Sequence, residues 1–323
     1  EDVVAGCGTG SGDHAHDIAR MSVLDAGWPI SVTGVTLHRF CGSGQQAVNF
    51  AATGVMSGQQ EAVIGGGVEF MSRYAPVHAN GFHANNEHLL GLHPQIPQGI
   101  SADLIATIEG FTREDCDRYS VESQRRALHS IEQGYFRNAL VPVYNLDGTL
   151  ALDRDEYPRP GTDMAALAGL KPSFLGLGAV HAEGYPATFD ALARAKYPQV
   201  KEINYMHHAG NSSGVVDGAS AVLVTSPEYA RKHGLKPRAR IRAIATAGTE
   251  PLIMLTAPGP AAQRCLDKAG MSKNDIDILF CNEFELQSLY QTNSYEEALE
   301  KLRHDCEFGA VTRDKRGSVV ING

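Results

Sequence analysis

Cys41 is the residue best suited to covalent chemistry in this sequence. It lies between a strand-like segment, Val35 to Phe40, and a segment with helical periodicity, Gln45 to Gly58. We therefore predict that Cys41 lies at the N-terminus of a helix. Unpaired backbone N–H groups and the positive end of the helix dipole stabilise an anion there, which favours the thiolate, the nucleophilic form of a cysteine.

Two glycines near this cysteine leave room for a substrate to approach the sulfur. Gly42 follows Cys41 directly, and Gly44 comes two residues later. A buried structural cysteine is the alternative, because cysteine is among the most buried residue types. The residues around Cys41 thus leave two interpretations open, a nucleophile and an inert core thiol.

Other local patterns suggest binding chemistry but lack the necessary spacing. The glycine run from Gly6 to Gly12 does not fit G-x-G-x-x-G, so we predict no dinucleotide fingerprint. His14 and His16 could chelate a metal ion, but no third ligand lies in evident register. We therefore predict a loop leading into a helix, Ile18 to Ala26, and no metal site. Four histidines in the loop-rich stretch of residues 76–99 match no metal motif and are predicted to lie on the surface: His78, His83, His88 and His93.

Size and charge exclude several function classes. The chain has 323 residues, of which 43% are hydrophobic and 20% charged. It contains no apolar run of about 18 residues, so we predict no transmembrane segment. A formal net charge of −9 argues against nucleic acid as a partner. The six cysteines are scattered without a C-x-x-C pair, which predicts a reducing, cytoplasmic compartment rather than a disulfide framework.

The elements that must position Cys41 follow an α/β pattern interrupted by an insert. Residues 1–73 alternate short strands and helices, and we predict that they form the N-terminal half of the fold. Histidine, glycine and proline crowd much of residues 74–205, the predicted inserted loop or lid domain. Residues 206–237 return to the first half, and residues 238–323 form the second half.

Capping patterns delimit several elements of this scheme. Thr112-x-x-Asp115 opens a long helix that Gly134 closes, and Ser226-Pro227 opens another that ends at Gly234. Periodicity predicts further strands and helices, namely strands Ala221 to Thr225 and Arg238 to Ala245 and helices Ala102 to Ile108 and Gly259 to Ala269.

Asn282 stands at the carboxyl end of a predicted strand, Ile276 to Cys281, which is where α/β sheets bind ligands. The end of this strand resembles Asp2 to Gly6, and each of the two is followed by a second strand. These second strands are Ser318 to Ile321 and Val35 to Phe40, respectively. A weak internal duplication is therefore predicted.

Four motifs, in this order, resemble the thiolase family. They are Arg39-Phe40-Cys41-Gly42-Ser43-Gly44, Gly66-Gly67-Val68-Glu69-Phe70-Met71-Ser72, Ala209-Gly210-Asn211-Ser212-Ser213-Gly214 and Asp217-Gly218-Ala219. The similarity extends nearly continuously from residue 1 to about residue 284. Within the family, the sequence most resembles the thiolase subunit of bacterial trifunctional β-oxidation complexes. Supporting segments are Gln98 to Ala106, Leu170-Lys171-Pro172 and Met254 to Ala261.

The resemblance implies an α/β fold of two duplicated βαβαβ halves, with mixed sheets, central helices and an inserted loop domain. Cys41 matches the family's nucleophile, which attacks the 3-keto carbon of a 3-oxoacyl-CoA. Acetyl-CoA then leaves as an enolate that takes up a proton. Coenzyme A next attacks the acyl-cysteine thioester and releases an acyl-CoA shortened by two carbons. Coenzyme A is thus the expected co-substrate, and no tightly bound cofactor is expected.

The same resemblance assigns the other site residues. Asn282 matches an asparagine that positions a water for the thioester oxygen, and Ser213 matches a serine that contacts coenzyme A. His208 lies near the coenzyme by position, and Met254 matches a residue that lines the acyl pocket. A turn role for Ser213, a hydrogen-bond network for His208 and a core role for Met254 are the alternatives. Further coenzyme A contacts are assigned to two neighbours of Ser213, Ala209 and Gly210.

The sequence departs from the family pattern after Asn282. The family's Asn-Glu-Ala-Phe is Asn-Glu-Phe-Glu here, and residues 285–318 do not resemble the family; their charges predict a solvated helix. The family's Gly-His-Pro and late Cys-x-Gly, which supply the base and the acid, do not occur in these 323 residues. The sequence opens without methionine and stops after an apolar strand, so we interpret it as a fragment cut at both ends.

A degradative thiolase is the leading hypothesis from the sequence. A biosynthetic acetoacetyl-CoA thiolase, a condensing ketoacyl synthase and a catalytically impaired acyl-CoA-binding homologue are the alternatives. The Gly-Gly-Val-Glu-x-Met-Ser and Asn-Ser-Ser-Gly motifs favour a thiolase over a ketoacyl synthase. The long insert at residues 137–205 favours long-chain, membrane-associated degradation. The expected partners are acyl-CoA and coenzyme A, further copies of the chain in a homodimer or tetramer, and a hydratase/dehydrogenase subunit.

Overall fold

The structure is a computed structural model that describes residues 1–73, 86–275, 278–282, 297–301, 308–313 and 317–322. The chain divides into two compact units. Unit 1 comprises Glu1–Val77 and Val215–Ile244, and unit 2 comprises His78–Gly214 and Ala245–Gly323. The division into two duplicated halves and an insert, made from the sequence, stays a prediction.

Strands and helices alternate along much of the chain. Numbered in chain order, the strands are β1 Asp2–Gly6, β2 Thr33–Leu37, β3 Ala62–Phe70, β4 Val143–Tyr144, β5 Leu150–Leu152, β6 Asp217–Thr225, β7 Ile278–Asn282, β8 Phe308–Arg313 and β9 Gly317–Asn322. The helices are α1 Ile18–Asp25, α2 Ser43–Met56, α3 Glu87–Leu92, α4 Gln98–Glu109, α5 Arg113–Glu132, α6 Met164–Ala168, α7 Leu175–Gly178, α8 Phe189–Lys196, α9 Pro227–Lys232 and α10 Pro258–Ala269. Among the helices in the described ranges, none combines the length and the apolar character needed to cross a membrane.

Unit 1 is built on a mixed sheet with the strand order β2-β1-β3-β6. β1 pairs in parallel with β2 and β3, whereas β3 pairs antiparallel with β6. Helix α2 packs on this sheet around a small apolar core of Val4, Ala47, Ala51 and Val63. The mixed sheet with packed helices confirms the predicted α/β class.

Two glycines let α2 lie directly on the sheet. A Cβ atom on Gly6 would lie 2.3 Å from the backbone carbonyl carbon of Ser43, in the first turn of α2. A Cβ atom on Gly65 would lie 2.7 Å from the Cα atom of Val48. A side chain cannot fit at either contact. The distance between the sheet and α2 is therefore set by direct contact between their backbone atoms. The N-terminus of α2 is therefore held firmly over the end of β1.

We expect the Gly6→Ala substitution to lower the free energy of unfolding by about 1–3 kcal/mol, because the new methyl group must push α2 away from β1. Gly10→Ala is the matched control in the next loop, since its Cβ atom would meet nothing within 4 Å. That change should stay within about 0.5 kcal/mol. Urea unfolding of both variants measures the difference, and equal midpoints would contradict the close contact.

Unit 2 has its own apolar core between α4 and α8. Its fully buried members include Ile100, Leu104, Phe189, Ala193 and Leu252. A separate three-stranded sheet has the order β7-β8-β9, in which β7 pairs in parallel with β8 and β8 pairs antiparallel with β9. The predicted duplication equated β9 with β2. The pairing differs, because β2 is a parallel neighbour of β1 whereas β9 pairs antiparallel with β8.

Local capping signals were reliable predictors of helix limits. Thr112 and Asp115 form the predicted capping box at the start of α5, and Gly134 follows its end with φ 68. Ser226 caps α9, whose first residue is proline as predicted. Of the predicted charged helix in residues 285–318, residues 297–301 are helical. Phe308–Arg313 form β8 and Gly317 begins β9, so the helix prediction is wrong for those residues.

The predicted strand Arg238 to Ala245 is wrong. These residues lie in a described range and contain neither strand nor helix. An alternating pattern of side chains is compatible with a strand but does not suffice to form one. The backbone N–H and C=O groups of a strand also need a neighbouring strand with which to form hydrogen bonds. No described strand pairs with this segment. The pattern alone was therefore insufficient.

Candidate functional site

Cys41 lies on a tight turn between β2 and α2. β2 ends at Leu37, earlier than predicted, and α2 begins at Ser43. Phe40 has φ 46, a left-handed conformation that costs a bulky residue roughly 1–3 kcal/mol. A strained strand-to-helix turn also holds the exposed nucleophile in other enzyme folds. The conformation of Phe40 thus indicates that its surroundings fix the turn.

The hydroxyl of Ser43 stabilises this turn through two hydrogen bonds to its backbone. It donates to the Phe40 carbonyl at 2.6 Å and accepts from the Arg39 amide at 2.8 Å. The Arg39 guanidinium in turn donates to Gln46 Oε1 at 2.8 Å, and Ser43 and Gln46 are both buried. In the sequence, Ser43 is recognisable only as part of the motif around Cys41. Its role became evident only from the backbone geometry of the turn.

Cys41 itself is exposed and free of any disulfide. Gly42 occupies the N-cap of α2 without a side-chain cap, so Cys41 directly precedes the helix end whose first N–H groups lack intrahelical acceptors. The Cβ position of Gly44 faces open space. An exposed thiol in this place fits the nucleophile interpretation better than the inert core thiol.

The residues assigned to coenzyme A share one loop of unit 2, between α8 and β6. Ala209 and Ser213 are exposed, whereas Gly210 is partly buried. A Cβ atom on Gly210 would lie 2.5 Å from Leu167 Cδ2, and one on Gly214 would lie 2.3 Å from the Tyr157 ring. The loop is therefore pressed against its support at two glycines, while Ala209 and Ser213 point outwards.

The side chain of His208 is fully buried beneath this loop. Its Nε2 atom lies 2.7 Å from Asp117 Oδ1, and its Nδ1 atom accepts from the Gly210 amide at 3.0 Å. Because Nδ1 accepts, the ring proton lies on Nε2 and is donated to Asp117. Both ring nitrogens are thus occupied within the protein. The hydrogen-bond network considered in the sequence analysis describes this side chain.

Asp117 is the centre of that network, and the sequence analysis did not single it out. Its Oδ1 atom also accepts from Asn211 Nδ2 at 2.8 Å, and its Oδ2 atom accepts from Arg113 Nε at 2.8 Å. Asn211 Oδ1 accepts from the His208 amide at 2.7 Å. One buried carboxylate therefore fixes both side chains that shape the loop. No local signal marks it, because a carboxylate near the N-terminus of a helix such as α5 is common.

A second buried carboxylate, Asp103, holds the start of the same loop. Its Oδ1 atom accepts from the Met206 and His207 amides and lies 2.7 Å from His207 Nδ1. Burial by itself lowers the pKa of His207. The hydrogen bond with Asp103 and the interaction with the Cys116 thiol outweigh that effect and raise the pKa to about 9. His207 is thus protonated in the folded protein at neutral pH.

We expect the free energy of unfolding to decrease as the pH rises from about 6.5 to about 9. The pKa of His207 is raised from 6.5 to about 9 in the folded state, so its proton favours folding. That contribution is fully present below pH 6.5 and is lost as the pH rises through 9. Urea unfolding at several pH values measures it. His207→Gln should flatten this slope and the exposed control His129→Gln should not; equal slopes would contradict the assignment.

Met254 lies in a turn of unit 2 that a buried neighbour anchors. It is partly buried and has φ 39, again a left-handed conformation for a residue with a large side chain. Glu250 accepts from the Leu252 and Ile253 amides, and the Leu252 carbonyl accepts from Ser101 Oγ at 2.7 Å. The segment that carries Met254 is therefore fixed on both sides. Whether it lines an acyl pocket stays a prediction.

Asn282 is the last residue of β7, so it lies at the carboxyl end of a strand as predicted. The sheet places it there because β7 pairs with β8 through to Asn282↔Thr312. The divergent residues that follow, Glu283-Phe284-Glu285, lie outside the described ranges. Its role with water stays a prediction.

Cys7, His14 and Glu69 converge at the carboxyl end of β1 in unit 1. One sulfur, nitrogen or oxygen atom from each lies within 4.8 Å of the corresponding atoms of the other two. Cys7 and His14 are buried, and Glu69 is partly buried. Glu69, the third potential ligand, is distant from His14 in sequence and is therefore not evident from spacing. The parallel pairing of β1 with β3 brings it close.

Comparison with known proteins gives a consistent result. The family model described as thiolase, N-terminal domain, matches residues 1–195, and the one described as thiolase, C-terminal domain, matches residues 235–312. The chain is 35% identical over 309 residues to a 3-oxoadipyl-CoA/3-oxo-5,6-dehydrosuberyl-CoA thiolase of Escherichia coli, covering 90% of this chain and 70% of that protein.

Other relatives carry related names. A steroid 3-ketoacyl-CoA thiolase of Mycobacterium tuberculosis is 37% identical over 88% of this chain and 65% of its own length. A 3-ketoacyl-CoA thiolase of Vibrio cholerae is 36% identical over 90% of this chain and 69% of its own length. The crystal structure of the Bacillus anthracis acetyl-CoA acetyltransferase matches with a TM-score of 0.65 and 27% identity, covering 99% of this chain and 85% of that one.

Proposed function

Because this chain belongs to the thiolase family of acyltransferases, which use coenzyme A as co-substrate, we propose that it cleaves 3-oxoacyl-CoA thiolytically. The products are acetyl-CoA and an acyl-CoA shortened by two carbons. One observation carries the proposal: an exposed, free cysteine held on a strained turn at the N-terminus of a helix. That placement supplies a nucleophile, a fixed direction of attack and nearby N–H groups.

The reaction divides into two acyl transfers. The Cys41 thiolate attacks the 3-keto carbon, the bond between Cα and Cβ breaks, and the electron pair leaves with acetyl-CoA as an enolate that takes up a proton. The backbone N–H of Cys41, just before α2, is suited to stabilise the oxyanion. Coenzyme A then attacks the acyl-cysteine, and Cys41 is regenerated. Asn282 is proposed to position a water for the thioester oxygen.

The loop of unit 2 that carries Ser213 is the proposed contact for coenzyme A. Ser213 and Ala209 are exposed and therefore available to a ligand. Gly210 is the residue at which the same loop contacts Leu167 beneath it. His208 is proposed to act indirectly, by fixing the Gly210 amide from below. Met254 is proposed to contact the acyl chain. These roles rest on the family resemblance together with the exposure of the side chains.

Mass spectrometry of the acylated protein tests the proposal. Incubation with a 3-oxoacyl-CoA in the absence of free coenzyme A should add one acyl group, shortened by two carbons, to the peptide that contains Cys41. Addition of coenzyme A should remove the group and produce the shortened acyl-CoA. Binding of the substrate without acylation would favour the alternative, a catalytically impaired acyl-CoA-binding homologue.

Fatty acid β-oxidation is the proposed physiological direction. The relatives named 3-ketoacyl-CoA thiolase and the long insert favour it. Biosynthetic condensation uses the same chemistry in reverse, and one matching solved structure is named an acetyl-CoA acetyltransferase. The ratio of kcat/KM for long-chain 3-oxoacyl-CoA to that for acetoacetyl-CoA separates the two. A ratio well below one would favour the biosynthetic role.

We propose a homodimer or tetramer, located in the cytoplasm. Within the described part of unit 1, β6 forms one edge of the sheet, and its Val222 and Leu223 are 50% and 52% exposed. An open strand edge with exposed apolar side chains favours association with another protein surface. Cys7, Cys41, Cys116 and Cys265 form no disulfide, which agrees with a reducing compartment. A hydratase/dehydrogenase subunit is proposed as a further partner from the resemblance alone.

A further inference from the structure

The group formed by Cys7, His14 and Glu69 has the composition of a metal site. Thiolate, imidazole and carboxylate are all ligands of Zn²⁺, and three protein ligands leave a fourth position for water. Bonds of about 2.0–2.3 Å to a tetrahedral zinc ion place the ligand atoms roughly 3.3–3.7 Å apart. The three atoms here already lie within 4.8 Å of one another. A contraction of at most about 1.5 Å would therefore complete the geometry.

The charges of the three side chains also suit a buried divalent cation. A thiolate from Cys7 and the carboxylate of Glu69 together carry two negative charges, so a bound Zn²⁺ gives a neutral group. Neutrality matters because Cys7 is 2% and His14 4% exposed, and an uncompensated charge in such a place is costly. The sulfur ligand favours zinc over the harder cations Mg²⁺ and Ca²⁺.

The backbone holds the carboxylate in place for this role. Glu69 Oε1 accepts from the Thr9 amide at 3.0 Å and also from the Gly8 amide, which fixes the carboxylate over the loop. β1 and β3 are paired up to Gly6↔Gly67, directly before Cys7 and two residues before Glu69. The paired strands thus fix the positions of Cys7, directly after β1, and Glu69, within β3. His14 is the last residue of a 3-10 helix in the loop between β1 and α1.

We propose that Cys7, His14 and Glu69 bind one zinc ion, which closes the loop from Cys7 to His14 onto the sheet. This loop supports the turn that carries Cys41, because the Gly8 carbonyl bonds His38 Nε2 at 2.8 Å. The bound ion therefore stabilises the surroundings of Cys41 without contributing to the acyl transfer itself. The proposal concerns binding and does not depend on the proposed function.

Titration of the purified, tag-free, metal-free protein with zinc chloride tests this proposal. Isothermal titration calorimetry should show one equivalent bound. Co²⁺ in place of zinc should produce visible bands of tetrahedral cobalt together with a near-ultraviolet band from thiolate-to-metal charge transfer. Cys7→Ser should lose the charge-transfer band, and His14→Asn and Glu69→Gln should lose stoichiometric binding.

Two control variants separate this site from adventitious binding. His16→Asn removes the exposed histidine of the same loop at φ 61, a conformation that asparagine tolerates, and should bind zinc like the wild type. Cys41→Ser removes the exposed thiol and should also retain the cobalt spectrum. Loss of the charge-transfer band in Cys41→Ser, or its absence from the wild-type protein, would overturn the proposal. The wild-type spectrum decides even if Cys7→Ser does not fold.

Discussion

Replacement of Cys41 by alanine is expected to reduce thiolytic turnover by on the order of 10⁴- to 10⁶-fold, the range seen when a covalent nucleophile is removed. The acyl group would have no sulfur to receive it, and neither of the two acyl transfers could proceed. Cys41 is exposed, so its removal should leave the free energy of unfolding within about 0.5 kcal/mol of the wild type. The measurement is steady-state release of acetyl-CoA, with coenzyme A binding determined separately.

Cys265→Ala is the matched control for this experiment. Cys265 likewise forms no disulfide and is partly buried on α10, outside the proposed machinery. It should retain its turnover and the acyl adduct. Binding of coenzyme A should be unchanged in Cys41→Ala, because the proposed contacts lie on the loop that carries Ser213. Turnover that survives in Cys41→Ala would remove the basis of the proposed mechanism.

Replacement of Asp117 by alanine is expected to lower the free energy of unfolding by about 3–5 kcal/mol, as is typical when one partner of a buried ion pair is lost. Arg113 would keep its charge beside a vacant acceptor position, and His208 and Asn211 would lose the oxygen to which both donate. The loop from His208 to Gly214 should loosen, so coenzyme A binding should weaken as well. Urea unfolding and calorimetry measure the two effects.

Glu122→Ala provides a contrast on the same helix. Hydrogen bonds with Arg125 lead the causes that lower the pKa of Glu122 to about 2, despite partial burial. A shift of this size suggests a large contribution to stability. The Arg125 side chain is 64% exposed, however, and water screens such pairs, so we expect a loss of only about 0.5–1 kcal/mol. Equal losses of unfolding free energy in Asp117→Ala and Glu122→Ala would contradict a central role for Asp117 in a buried hydrogen-bond network.

What could be predicted from the sequence depended on how local the cause is. The limits of α5 and α9 depend on caps within a few residues, and these were correct. The turn at Cys41 was predicted because its glycines and apolar strand lie beside it in the sequence. The family motifs also located the loop that carries Ser213. Each of these features is readable in a window of about ten residues.

Contacts between distant segments could not be predicted in this way. Asp103 and His207 are 104 positions apart, and their hydrogen bond depends on how α4 packs beneath the loop. Glu69 reaches Cys7 only because β1 and β3 are parallel neighbours. The error at Arg238 to Ala245 has the same origin, since a strand exists only with a partner strand. The burial of His208 against Asp117 also depends on segments that are distant in sequence.

The antiparallel pairing of β3 with β6 has a consequence for biosynthesis. Ser72, just after β3, bonds Asp217 at the start of β6 across 145 positions of sequence. At about 5–20 residues per second, a ribosome needs roughly 7–30 s to produce that stretch. During this time β3 is an edge strand of the nascent sheet, and the N–H and C=O groups that later pair with β6 have no partner strand. The centre of β3 is Gly65-Gly66-Gly67, whose backbone no side chain covers. The growing polypeptide is therefore most prone to aggregate, and most in need of a chaperone, before β6 leaves the ribosome.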